Sequence, residues 1–240
     1  MQEKIQAYLQ RNGFERFAPK VVLFDMDGVL YDSMPNHAVA WQRSMQSFGL
    51  KMTAHDAYAT EGARGVDTIR ALVKAQTGRD IDEAEAQRMY DVKAAEFAAL
   101  PKAPVMPGVR DVMRLLRKNG LRVGVVTGSG QRPLIRRIAD DFQEWTDMDD
   151  IVTAYDVKQG KPAPDPYLKG LEKAGRLMPW EGIVVENAPL GVQAGVAARI
   201  LTLAVNSGPL PDEALAGAGA DCVFSDMFAL RDALNAWFNE

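Results

Sequence analysis

The chain is 240 residues long, carries 28 Lys+Arg against 32 Asp+Glu for a formal net charge of −4, and is 47% hydrophobic with a single cysteine, Cys222. These figures describe a soluble globular protein of one large or two small domains, and at this length folding hides roughly 70–75% of the unfolded chain's surface, so a full apolar core forms without disulfides. The mild acidity and the lack of a lysine or arginine run argue against a nucleic-acid partner, no apolar run approaches the ~18 residues of a membrane span, and one cysteine without a signal-peptide pattern predicts a cytoplasmic location.

From the N-terminus, residues 3–12 read as a short helix stopped by Gly13, and residues 20–24 as the first strand. From about residue 35 the alternation of strands and helices breaks. Ala38, Trp41, Met45 and Phe48 make one helical stripe, and Ile69, Leu72 and Val73 make another, with no strand between them. This stretch is expected to be an inserted helical domain, 34–103, entered just after Asp32-Ser33 and left through the proline-bracketed linker Leu100-Pro101-Lys102-Ala103-Pro104. A helix follows between Pro107 and Asn119-Gly120, with Val109, Val112, Met113 and Leu116 on its apolar face. Further strands are predicted at 121–126, 150–153, 182–185, 200–204 and 222–224, and their continuous apolar runs indicate coverage on both faces. The expected fold is α/β: a doubly wound, Rossmann-like parallel sheet built from 1–33 and 104–240, with the helical cap inserted after its first strand.

In an open parallel sheet, ligands bind beyond the carboxyl ends of the strands. The residues there are Asp25-Met26-Asp27-Gly28 after the first strand, Thr127-Gly128-Ser129-Gly130 after the second, Gly160-Lys161-Pro162 in the loop after the third, and Glu186-Asn187 after the fourth. Read alone, Asp27-Gly28 is a turn, but a turn explains neither the lysine nor the hydroxyl and second acidic pair on the same rim. Thr127 with Gly128 and Ser129 offers a hydroxyl and amides that suit an anion, and Lys161 a point charge for a phosphate, whereas Lys158 and Lys169 are expected to be solvated. Mg²⁺ takes oxygen ligands in octahedral array, usually one or two carboxylates with water and phosphate, which Asp25 and Glu186-Asn187 are able to supply. Asn187 is also placed to cap the helix that starts near Pro189.

These runs, FDMDGVLYDS, VVTGSG, GKPAPDPY and VVENAPLGVQAGVAA, resemble in order and spacing the four motifs of the haloacid dehalogenase superfamily of phosphohydrolases. The helical insertion is similar to the cap of its β-phosphoglucomutase-like branch, and VTGSGQ, GKPxPxPYL, ENAPLGV and AVNSGPL together most resemble the bacterial inorganic pyrophosphatases of that branch. The resemblance implies Asp25 as nucleophile and metal ligand, and Asp27 as general acid/base with its backbone carbonyl on Mg²⁺. It further implies Thr127 and Lys161 as phosphate holders and Glu186-Asn187 as the metal-side pair. Most relatives read Glu-Asp where this chain has Glu186-Asn187, which removes one negative charge from the metal site. In the cap, Glu61 stands where mutase-like relatives carry a lysine, and Arg64 is open to take the place of their phosphate-binding arginine. Glu61 is either a solvated carboxylate or the partner of a cation, a metal-chelated substrate or a bound Mg²⁺. His37 is taken to reach the site from the cap's first helix, and Trp41 and Met45 to belong to the cap's core. The implied activity is Mg²⁺-dependent hydrolysis of inorganic pyrophosphate or a small phosphate ester through an aspartyl phosphate. A β-phosphoglucomutase and a non-catalytic phosphate-binding protein are the alternatives, and the oligomeric state stays open, a monomer included.

Overall fold

A computed structural model describes residues 1–129 and 132–239. Helix α1 (Gln2–Asn12) ends at Gly13, which takes a left-handed φ of 66° as the sequence predicts. Strand β1 (Val21–Phe24) is followed by helices α2 (Met34–Ser47), α3 (Ala54–Ala59), α4 (Gly65–Thr77) and α5 (Glu83–Ala98). Then come α6 (Val109–Lys118), β2 (Arg122–Val126), α7 (Arg132–Asp141), β3 (Ile151–Val152), α8 (Asp165–Lys173) and β4 (Gly182–Glu186). The chain closes with α9 (Pro189–Ala197), β5 (Leu201–Val205), α10 (Asp212–Gly217), β6 (Cys222–Phe224) and α11 (Met227–Phe238). Each predicted strand lies within a residue or two of an observed one.

Among the described residues the six strands form one sheet in the order β3-β2-β1-β4-β5-β6, with every pair parallel. Because the order reverses at β1, that strand sits at the centre, with β2 on one side and β4 on the other, and Phe24 in register with Val125 and Val185. The residues that follow these three strands therefore emerge side by side on one rim, the crevice where doubly wound sheets bind ligands. Successive side chains of β1 alternate between two apolar layers. Val22 and Phe24 pack with Val109, Val112, Met113 and Leu116 of α6, and Val21 and Leu23 with Tyr167 and Leu171 of α8.

The helices inserted after β1 bury a cluster of their own around Trp41, Met45, Ile69, Val73 and Met89. One apolar residue assigned to this stripe falls outside it: Phe48 is the C-terminal cap residue of α2, is 42% exposed, and marks where the helix has already ended. No helix among the described residues is long and apolar enough to cross a membrane.

Helix α8 lies close enough to the sheet to hold the Lys161 loop over the rim because Gly170 leaves no side chain in the way. A β-carbon there would fall 2.9 Å from Leu23 Cδ1 and 3.3 Å from Val126 Cγ2. Gly170→Ala improves helix propensity but overpacks this interface, so it should destabilise the protein by roughly 1–3 kcal/mol in a denaturant titration. A stabilised variant would mean that α8 sits on the sheet with room to spare.

Candidate functional site

Asp25, directly after β1, is buried, and its carboxylate pairs with the Lys161 ammonium. Lys161 Nζ also donates to Glu186 Oε1 at 2.6 Å and to the Val126 carbonyl at 3.3 Å. Glu186 Oε1 accepts a second hydrogen bond from the Tyr167 hydroxyl at 2.6 Å, while its Oε2 faces the backbone amides of Asn187 at 3.0 Å and Ala188 at 3.4 Å. In this arrangement Glu186 orients Lys161, and with both oxygens engaged by other donors it does not present itself as the metal ligand expected from the resemblance. Burial pushes the Asp25 carboxyl up to about 7, with Glu186 and Asp27 adding to the rise and Lys161 opposing it. Burial works against the charge on Lys161, but Asp25 and Glu186 outweigh it and hold the ammonium well ionised.

Two residues on, Asp27 accepts a 2.5 Å hydrogen bond from Ser33 Oγ, and His37 Nε2 lies 3.1 Å from the same oxygen, off line for a well-formed hydrogen bond. Burial alone would raise the Asp27 pKa, but His37, Ser33 and Lys93 together hold it below the ordinary carboxylate range. His37 thus reaches the site as the sequence predicts. Behind it stands Lys93, its Nζ 2.7 Å from His37 Nδ1 and 5.0 Å from the centre of the Trp41 ring. Burial draws the Lys93 pKa down to about 8 against the pull of Glu61 and Asp27. Lys93 went unread in the sequence although it shares a face of α5 with buried Ala86 and Met89, and a lysine on an apolar stripe is the signal that would have found it.

A small chamber of about 40 Å³ lies between rim and inserted helices, walled by Asp25, Asp27, Thr127, Gly128 and Ser129 below and by His37, Trp41, Glu61, Tyr90 and Lys93 above. Thr127 Oγ1 accepts from the Ser129 amide at 3.0 Å, which turns the loop after β2 into a tight bend over the chamber. Gly130 and Gln131, which complete that motif, lie outside the described residues. Burial and the nearby carboxylates of Asp27 and Asp25 push Glu61 up to about 8, with Lys93 and Lys161 opposing. Lys158 is exposed and Lys169 pairs with Glu172 on the surface, both as expected. Arg64 does not line the chamber; its guanidinium is held by Asp67 at 2.8 and 3.0 Å.

Asn187 does not cap α9, whose N-cap residue is Ala188. Its side chain packs so tightly on Gly28 that a β-carbon there would fall 2.0 Å from Nδ2, and its Oδ1 is buried without a hydrogen-bond partner. A buried acceptor left open in this way requires a donor or a cation. Around it, the carboxylates of Asp25, Asp27, Glu61 and Glu186 face the ammonium groups of Lys161 and Lys93, a surplus of negative charge that a divalent cation would offset. Among the described residues no three acidic, histidine or cysteine side chains already converge as a ligand set, so the oxygen donors present are mixed in kind. Carboxylate and amide oxygens of this type suit Mg²⁺.

The sequence pattern of the haloacid dehalogenase-like hydrolase family matches residues 19–199. Hexitol phosphatase A of Escherichia coli (strain K12) is 35% identical over 188 residues, 78% of this chain and 83% of that protein. The phosphoglycolate phosphatase of Pseudomonas putida is 28% identical over 230 residues, 91% and 82% of the two chains. A solved structure from Bacteroides vulgatus, assigned as a beta-phosphoglucomutase, is 44% identical and superposes with a TM-score of 0.93 over 99% of this chain and 96% of that one.

The surplus charge has a measurable consequence. Asp25 rises from 3.8 to about 7 and Glu61 from 4.5 to about 8, so between about pH 4 and 8 the folded state holds more protons than the unfolded one and stability falls as pH rises. His37, whose pKa burial and Lys93 lower, opposes this below its ordinary value as one group against two, and Lys93, at about 8, acts only above that window. Thermal melts of EDTA-treated protein should therefore show a midpoint that drops from about pH 5 to about pH 8, and added Mg²⁺ should raise it more at the higher pH. A midpoint that climbs over this range would mean that the carboxylates are already neutralised from within.

Proposed function

Since the chain belongs to the haloacid dehalogenase-like hydrolase family, we propose that it is a Mg²⁺-dependent phosphohydrolase that works through an aspartyl phosphate on Asp25 and prefers inorganic pyrophosphate to small phosphate esters. The relatives named as hexitol phosphatase and phosphoglycolate phosphatase support the broader part of this reading, phosphoryl transfer from a small phosphorylated compound to water. The preference for pyrophosphate rests on the wall of the chamber that faces Asp25. There Glu61, Lys93 and His37 stand together on one side of the chamber and present a carboxylate and an ammonium rather than a row of hydroxyl-binding groups. Lys93 offers positive charge to the leaving phosphate, and Glu61 a site for a cation that travels with it.

In the first step an oxygen of Asp25 attacks phosphorus and the bond to the leaving oxygen breaks. Asp27, once protonated, supplies a proton to that oxygen. In the second step Asp27 takes a proton from water as the water attacks phosphorus, which releases orthophosphate and frees Asp25. Lys161 and the bend at Thr127 face the charge that builds on the transferring oxygens. Mg²⁺, held by Asp25, the Asp27 carbonyl and Asn187, would supply further positive charge to the phosphoryl group. The low pKa of Asp27 favours a leaving group that needs little proton assistance, and orthophosphate is one where an alkoxide is not. Segment 34–103 acts as the cap, turning on Ser33 and on residues 100–104, and the contact of Ser33 with Asp27 ties the hinge to the acid/base residue. A sugar-phosphate mutase is favoured by the 44%-identical relative, but the Arg64 fork is engaged by Asp67 and does not line the chamber, so Arg64 is not placed to hold a distant second phosphate.

Wild-type protein with Mg²⁺ should release phosphate from pyrophosphate faster than from hexitol phosphates or phosphoglycolate, and Asp25→Asn should remove turnover on every substrate. Glu61→Gln should lower kcat/KM for pyrophosphate by roughly a hundredfold while changing that for a small ester far less. Equal losses on both substrates, or faster isomerisation of β-glucose phosphate than phosphate release by the wild type, would overturn the assignment.

A further inference from the structure

Where the loop that carries Glu61 meets the core, glycines make the closest approaches. A β-carbon on Gly128 would sit 3.3 Å from the Gly62 carbonyl oxygen, and one on Gly62 would sit 3.1 Å from Lys161 Cδ and 3.6 Å from the Gly191 amide nitrogen. Beside them lies Arg64. Its stem lies on the bare face of Gly160, where a β-carbon would fall 2.8 Å from Arg64 Cγ and 3.6 Å from Cδ. Its guanidinium is fixed by two hydrogen bonds to Asp67 one turn along α4. An ion pair as exposed as this one adds little to stability, and its consequence is that one rotamer of a long side chain is selected. Gly160 immediately precedes Lys161, the partner of Asp25 and Glu186, so the stem bridges the element that places Glu61 and the element that places Lys161.

We propose that Arg64 is a positioning residue: with its fork held by Asp67, its stem seats on Gly160 and sets the depth at which the 60–63 loop, and with it Glu61, enters the chamber. The assignment deepens the pyrophosphatase reading and rests on it for the role of Glu61. It also gives Arg64 an occupation other than binding a second phosphate. Gly160 is not among the glycines in the left-handed region, so alanine at 160 meets no backbone strain, and the Arg64 stem is the neighbour it would strike.

A double-mutant cycle tests the pair with kcat and KM measured on pyrophosphate and on 4-nitrophenyl phosphate. Gly160→Ala should cut kcat/KM by roughly tenfold on pyrophosphate and less on the ester, and the same change in an Arg64→Ala background should cost almost nothing further. Hydrogen exchange of the 60–65 amides should speed up in Gly160→Ala and in Asp67→Asn, and Asp67→Asn keeps the test open if the alanine variant fails to fold. An equal cost of Gly160→Ala in both backgrounds, or unchanged exchange in Asp67→Asn, overturns the positioning role. Failure of the pyrophosphatase reading is visible separately, as wild-type protein that leaves pyrophosphate intact, and the cycle is then decided on the ester.

Discussion

The buried Lys161 ammonium, clasped between Asp25 and Glu186, is the interaction on which the rest of the site depends. Taking a charge out of water costs several kcal/mol, and the cost is offset only if partners surround it closely. Here Glu186 is itself locked by the Tyr167 hydroxyl and two backbone amides, so the lysine has one place to sit. Gly191 exists for the same reason, since a β-carbon there would lie 1.8 Å from Glu186 Oε1. A chain of buried hydrogen bonds thus runs from α8 through β4 to the rim of β1, and it fixes the nucleophile by fixing its counter-charge.

The sheet order makes this chain possible. With β1 between β2 and β4, the residues after three strands that are far apart in sequence arrive at one place without a long loop to guide them. Only the Lys161 loop comes from further off, and close packing of α8 on β1 at Gly170 brings it in.

The core of the molecule was legible because its signals are local. Continuous apolar runs marked the strands, Gly13 stopped α1, and the residues just past the first and second runs line the chamber. His37, Thr127 and Lys161 lie on the rim or against it, and Glu61, which the sequence leaves open between a solvated loop and the site, lines the chamber. What escaped reading depends on contacts that cross the chain. Lys93 looks like an ordinary helix lysine until α2 brings His37 and Trp41 against it. Asn187 and Arg64 were each left with two readings, and in each case a tertiary neighbour decides: Gly28 fixes the Asn187 amide away from α9, and Asp67 turns the Arg64 fork away from the chamber. Phe48 shows the opposite error, a residue with the right spacing that lies beyond the end of its helix.

A shared scaffold does not by itself select a substrate, so in this chain the selection falls to the distribution of charge between core and inserted helices. By the resemblance, a carboxylate is missing at Asn187 and Glu61 stands in place of a lysine, so the floor of the chamber is one charge less negative and its lid two charges more negative. Lys93, buried on the lid side, keeps positive charge near it, while burial and that ammonium hold the His37 pKa below its ordinary value. A floor-mounted carboxylate would attract a cation whether or not the lid were down. Carried on the lid, the same charge joins the site only when the 60–63 loop is seated, so on the proposed reading cation capture, exclusion of water and alignment of the leaving group fall on one event. On that same reading, a substrate that brings a cation with it, such as pyrophosphate, would favour that event more than a bare monoester does, and discrimination would follow from closure without any contact that reads the leaving group's shape.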